Sequence, residues 1–451
     1  MSRIFVKDKQ FYKTLIIIAL PVIFQQMITI GVNMMDTIML GSYGETQISG
    51  SSLANEFINI YQILCMGMGG GCAVLTAQYW GSRQKDNIKK AITIVLRLSL
   101  IIATIFTIVT IFFADTIMSL FTTDAMVIEK GVAYFWMSLP TYALMGISLT
   151  LGQVLRSVRN MRIPLYASIL SFVSNIFFNW VFIYGHLGAP EMQIEGAALG
   201  TVIARVFETA LLVIYMLCFD KDIQYKLKDL LLNCQGVTDK FIHYSIPVIF
   251  SDLLLGIGNS MVSVVIGHIS TAFVAANSIV AMIQRFITTI NIGIGAAAAT
   301  LTGNTLGAGQ KEKTYAEAKT MLGISAVFGV VGGMILHFIG PIILSLYNIT
   351  TETNEIAISL IDAISIILVF QCMQSVLTKG ILRGGGDTTY CIRVDAVYLW
   401  LVSVPLGILT GIIFHFPPFI VYLCLKADWI IKSILCTRRL CSRKWLRVVS
   451  A

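Results

Sequence analysis

Residues 19–41, ALPVIFQQMITIGVNMMDTIMLG, decide the fold. The stretch is apolar enough to cross a bilayer, holds Pro21 near its start, and carries one carboxylate, Asp36, well inside. A charge at that depth costs about 2.5–3.5 kcal/mol even on the mildest scale, so such groups face a partner or a wet cavity and mark function. The stretch is also repeated. LPVIF at 20–24 returns as IPVIF at 246–250, an offset of 226 that holds without a gap for about seventy residues. It pairs Asn33 with Asn259, Gly41 with Gly267, Gly67 with Gly293, Gly69 with Gly295, and GSRQKD at 81–86 with GAGQKE at 307–312. A period this long exceeds any solenoid unit and indicates a duplicated chain.

The composition agrees with a membrane protein. Of 451 residues 56% are hydrophobic and 12% charged, with a mean hydropathy of +0.81, too apolar for a soluble globular chain. The net charge of +8 resides in short connections between apolar runs, which suits membrane topology and not nucleic-acid binding. The start (Arg3, Lys7, Lys9, Lys13) leads into an apolar run longer than a signal h-region, so the first span is expected to stay uncleaved. Nine cysteines without a CxxC spacing read as reduced, small apolar side chains.

A span needs about 20 mainly apolar residues. Twelve are predicted: 13–40, 53–78, 91–113, 131–154, 163–185, 194–218, 241–268, 275–304, 318–339, 355–381, 390–413 and 417–437. Backbone groups must pair internally in lipid, so these are helices. Lys and Arg gather in alternate connections, at 79–92, 155–163, 219–240, 305–319 and 379–393. The positive-inside rule therefore puts both termini in the cytoplasm. The expected fold is an all-α membrane protein of twelve transmembrane helices in two six-helix, pseudo-symmetric lobes: 1–218 and 241–437, joined by a solvated cytoplasmic linker at 219–240 and ending in a basic cytoplasmic tail at 438–451. Copies in the same orientation are a transporter design, with substrate and ion sites near the midplane.

Asp36 leads the candidates for chemistry, either as proton carrier or as cation ligand; its repeat counterpart is Val262, so the duplication itself demands no acid. Asn175 and Asn179 share a helix face, and Thr201 follows in GAALGT. Their oxygens suit a hard cation such as Na⁺ or a water beside a proton site; interhelical hydrogen bonding is the plainer reading. In the second half Asp252 and Asp362 are candidates for a second site, or polar positions facing a cavity. Arg205 and Glu208, three apart, read as a self-neutralising pair. Pro21 and Pro247 remove backbone bonds and are candidate kinks or hinges. Motifs for ATP (GxxxxGK[ST]), for zinc proteolysis (HExxH) and for a nucleophile elbow (GxSxG) are missing, which argues against an enzyme and a bound cofactor and for transport driven by an ion gradient.

The Pro21–Asp36 stretch, AQYWG at 77–81, NIFFNWVFIYG at 175–185 with GAALGT after it, LRGGGDT at 382–388 and the duplication together resemble the MATE family, multidrug and toxic compound extrusion transporters. The resemblance covers nearly the whole chain. It implies two six-helix lobes around a V-shaped cavity, and export of cationic, lipophilic drugs by antiport with H⁺ or Na⁺ across the cell membrane. It further implies Asp36 as the coupling-ion acid, Asn175 and Thr201 in its network, and Pro21 in bending the first span; the duplicated chain, with both lobes of its cavity, is expected to work as a monomer. The sequence departs from the pattern where some members have a second fifth-span Asp, here Asn179, and where the NorM type has acids, here near Leu255 and Gln371, which leaves Gln371 a second-lobe candidate on that resemblance. One acid fewer favours H⁺ over a metal site of Asp36, Asn175, Asn179 and Thr201. The runner-up is a lipid-linked precursor flippase of the same wider superfamily, with only Arg205 and Arg285 as basic cavity residues.

Overall fold

The computed structural model describes residues 6–345, 347 and 349–448; Arg3 of the basic start and the last three residues of the tail lie outside them. Among the described residues the regular structure is entirely helical. Among the described residues, eleven helices are long and apolar enough to span a membrane: α1 Lys9–Gly41, α2 Glu45–Gly81, α3 Lys85–Ser119, α4 Ala125–Ser157, α5 Arg162–Tyr184, α6 Gln193–Phe219, α7 Thr238–Ile269, α8 Thr271–Gly307, α9 Lys311–Leu344, α10 Thr351–Leu382 and α11 Thr388–Ile413. The expected span at 417–437 is broken in two, α12 Pro418–Leu425 and α13 Ala427–Cys441, around Lys426. The break has a local cause. Ser403 of α11 hydrogen-bonds both the Asp428 backbone N–H and its carboxylate, each at 2.9 Å, so the new helix start is satisfied from outside. Lys432 then lies one turn on, 2.9 Å from Asp428 and 3.5 Å from Asp395 of α11.

Side chains cap the starts of α4, α8 and α10. Asp124 accepts from Met126 N–H before α4, and Ser270 accepts from Phe273 N–H before α8. Thr350 accepts from Thr353 N–H before α10. Wide π-helical turns interrupt the ends of three spans, at 215–219, 376–382 and within α11.

The contacts gather into two compact units. One comprises Met1–Ile23, Ala77–Arg83 and Phe250–Ala451; the other comprises Phe24–Thr76 and Gln84–Ile249. The division thus passes through α1 and α7 in the turn after Pro21 and after Pro247. Repeat-related glycines explain how each unit accepts its foreign half-helix. In the first unit a side chain on Gly293 of α8 would lie 2.5 Å from Ile23 of α1. In the second, a side chain on Gly67 of α2 would lie 2.9 Å from the Ile249 backbone of α7. Gly67 and Gly293, like Ile23 and Ile249, are 226 apart, so one close crossing is built twice from the duplicated sequence. Only a residue without Cβ permits it.

Each repeat also ends in a segment folded back on its own third helix. The connection after α6 is docked, where a solvated linker was expected. Thr93 of α3 donates to the Asp229 carbonyl at 2.8 Å, Arg97 grips the carbonyls of Leu230 and Leu232, and Ile223 and Tyr225 are buried, which raises the Tyr225 phenol above its ordinary pKa. The C-terminal tail is docked as well. Trp445 is fully buried against Gly385, Arg443 pairs with Glu312 of α9, and the Arg447 backbone N–H donates to the Gly385 carbonyl at 3.0 Å.

Candidate functional site: the Asp36 network

Within the unit of Phe24–Thr76 and Gln84–Ile249, four helices bring Asp36 its partners. Asn179 Nδ2 of α5 donates to Asp36 Oδ1 at 2.5 Å and stands 3.4 Å from Asn175 Oδ1, one turn away. Asn175 in turn donates from Nδ2 to Thr201 Oγ1 of α6 at 3.3 Å. Asn175 and Asn179 are fully buried while Asp36 is half-buried, so the carboxylate is the accessible end of a buried amide chain. The sequence brings α5 and α6 this close through Gly196 and Gly200, a GxxxG pair. A Cβ on Gly200 would fall 2.2 Å from Asn179 Oδ1, and one on Gly196 2.5 Å from the Phe182 carbonyl. Asn179 Oδ1, buried in that gap, has no hydrogen-bond partner among the described residues. The four residues singled out from sequence are therefore one constellation. Two members escaped the sequence reading: Tyr134 of α4, whose hydroxyl faces Thr201 and Ser138, and Asn55 of α2, whose Nδ2 donates to that hydroxyl at 3.2 Å.

The family model MatE matches residues 21–181 and 247–409, the two repeats. The chain belongs to the MatE family. The matched segments begin 226 residues apart, at Pro21 and at Pro247. Among curated relatives, a probable multidrug resistance protein NorM of Photorhabdus laumondii is 25% identical over 412 residues, covering 89% of this chain and 88% of its own. One of the same description from Thermotoga maritima is 23% identical over 435 residues, covering 96% and 93%. Among solved structures, an outward-facing multidrug resistance MATE family transporter of the MOP superfamily superposes with a TM-score of 0.87 at 17% identity, covering 98% of this chain and 99% of its own. That likeness carries the fold.

The other candidates of this MatE chain lie in the unit that holds Phe250–Ala451, and they do not converge. Asp252 of α7 is bound by both ends of the Arg383 guanidinium, at 2.7 and 3.2 Å. Arg383 continues to Ser251, and Ser251 to Asp395, so Asp252 belongs to a buried structural network that Lys432 and Asp428 complete. Asp362 pairs at 2.9 Å with His337 of α9, both about half exposed, a partner the sequence reading did not name. Gln371 accepts from Gln284 Nε2 at 2.6 Å. Among the described residues no group of three or more His, Cys, Asp or Glu could hold a metal ion. Arg205 and Glu208 pair at 2.7 Å, as their spacing suggested.

Proposed function

We propose that the chain is a secondary active efflux transporter of the cell membrane that exports cationic, lipophilic drugs by antiport with an inward-moving cation. Asp36 is the coupling-ion site, and both termini are cytoplasmic. The supporting observation is the lone Asp36 carboxylate, accessible at one end and held by a buried amide chain at the other. A proton and an organic cation then compete for one negative charge. Outward-facing, Asp36 takes a proton and drug leaves; inward-facing, it releases the proton and drug binds again. The ion drives export through its different affinity for the two states. Pro21, next to which α1 divides between the units, is the proposed hinge. The NorM descriptions of the curated relatives support drugs as cargo.

The donor set favours H⁺. Asn179 presents its Nδ2 to the carboxylate, and its free oxygen faces Gly200, whereas a Na⁺ ion requires oxygens around it. Na⁺ as the coupling ion is the second reading. Turning the Asn179 amide over would direct Oδ1 towards Asp36, beside Asn175 Oδ1 and Thr201 Oγ1. The test is ethidium uptake into proteoliposomes under an imposed pH gradient or an imposed Na⁺ gradient. Uptake under the pH gradient alone supports the proton. Uptake under Na⁺ alone selects the second reading, and uptake under neither removes antiport of this drug class.

A further inference from the structure

The connection between the repeats is docked through its polar groups and leaves its leucines outside. Its buried acids are spent on the chain itself. Asp220 accepts from the Ile223 and Gln224 backbone N–H groups at 2.8 and 3.0 Å. Asp229 accepts from the Lys226 N–H at 2.9 Å and has Lys89 of α3 at 3.5 Å. The backbone is held from α3 as well: Thr93 donates to the Asp229 carbonyl at 2.8 Å, and Arg97 to those of Leu230 and Leu232 at 2.9 and 3.1 Å. On a segment fixed this firmly, Leu227 is 67% exposed and Leu231 86%, with Phe219 at the end of α6 66% exposed. Lys221, Lys226 and Lys228 are exposed among them, and Asp222 is the only exposed acid of residues 219–233.

Leucines exposed on a spanning helix meet acyl chains, but these two belong to a connection outside the spans. A fixed apolar surface there needs a cover. Its depth and its charge both name one. Arg97, which holds the leucine backbone, lies about 9 Å along α3 from the predicted start of that span at 91. That depth is the boundary between headgroups and acyl chains, where amphipathic segments settle. The lysine stems can lie along this boundary with their ammonium groups among the headgroups. A second copy of the chain would instead bring its own lysines against these, like charge against like.

We propose that residues 219–231 form an interfacial anchor for anionic phospholipid. Leu227 and Leu231 enter the top of the chain region, and Lys221, Lys226 and Lys228 bind the headgroup phosphates. The connection between the repeats is thereby tied to the membrane surface as well as to α3. The anchor is independent of which ion drives transport.

The experiment places a reporter on the surface and asks which lipid touches it. Full-length Leu231→Trp is reconstituted in nanodiscs of one phosphatidylcholine/phosphatidylglycerol mixture, with brominated chains on either the first lipid or the second. Wild type in the same discs is subtracted to remove its six native tryptophans. Leu231 is mostly solvent-exposed, so the substitution disturbs no core, and Leu227→Trp serves as a second reporter. Quenching per brominated lipid should be about fivefold stronger from phosphatidylglycerol, the effect of one lysine at an anionic surface. Adding Lys226→Gln and Lys228→Gln, or raising the salt, should bring the two lipids towards equal quenching. Equal quenching in the unaltered lysine background overturns the proposal, because the contact would then be apolar alone. Water-like, unquenched emission from both reporters overturns it too, since the leucines would lie in solvent. A blue-shifted but unquenched reporter would put a second copy of the chain on this face and overturn it equally.

Discussion

Gly200→Ala tests whether the spacing of α5 and α6 sets the coupling site. The new methyl would sit 2.2 Å from Asn179 Oδ1, with the Asn179 backbone nitrogen at 3.0 Å. To reach the roughly 3.0 Å that such a contact needs, the amide must retreat by about 0.8 Å or rotate. A retreat lengthens the 2.5 Å bond to Asp36 to about 3.3 Å, at the limit of a hydrogen bond; rotation removes Nδ2 altogether. Losing a hydrogen bond to a charged group is worth about 1.5–3 kcal/mol, or about ten- to a hundredfold in transport at a fixed gradient. Gly196, one turn earlier, is the control. Its methyl would meet the Phe182 carbonyl, backbone that moves only with α5 itself, so Gly196→Ala should cost about 1–3 kcal/mol of stability. Transport in proteoliposomes and thermal stability in detergent separate the two. Gly200→Ala should fold and couple poorly; Gly196→Ala should unfold early. A Gly200→Ala protein that transports like wild type refutes the reasoning.

Asp252→Ala leaves the buried Arg383 guanidinium without its carboxylate and should destabilise by about 3–5 kcal/mol in thermal or denaturant unfolding; wild-type stability with altered ion coupling would instead make Asp252 a second ion site. Trp445→Ala empties a fully buried volume and should cost about 3–5 kcal/mol, whereas a loose tail would tolerate it. His337→Ala breaks a half-exposed pair and should change stability by less than about 1 kcal/mol. Tyr134→Phe removes the partner of Asn55 and should lower transport severalfold, with about 1 kcal/mol lost in stability.

The sequence was most legible where it is periodic or costly. Long apolar runs and the 226-residue repeat indicate spans and duplication, because lipid forces backbone closure and leaves little choice of architecture. Asp36, Asn175, Asn179 and Thr201 were found because polar groups at membrane depth need a reason. Spacing alone puts Asn175 and Asn179 on one face, and only the family resemblance joins Asn175 and Thr201 to Asp36; the contact of Asn179 with Asp36 depends on Gly196 and Gly200 drawing two helices together. Tyr134 and Asn55 gave no signal, because a buried tyrosine or asparagine finds partners almost anywhere. The break at Lys426 was missed where a signal existed: Asp428 and Lys432, one turn apart in an apolar run, point to a buried charge network. The inter-repeat connection is expected to be solvated because such connectors commonly are, yet Ile223 and Tyr225 hold it down, as Trp445 holds the tail.

The most direct measurement of the central claim is proton release when drug binds. Tetraphenylphosphonium is added to weakly buffered, detergent-solubilised protein, and released protons are counted with a pH indicator. If proton and organic cation compete for Asp36, wild type releases up to one proton per bound cation as the starting pH falls, and Asp36→Asn releases none. Release that persists in Asp36→Asn would place the exchange elsewhere and contradict the account.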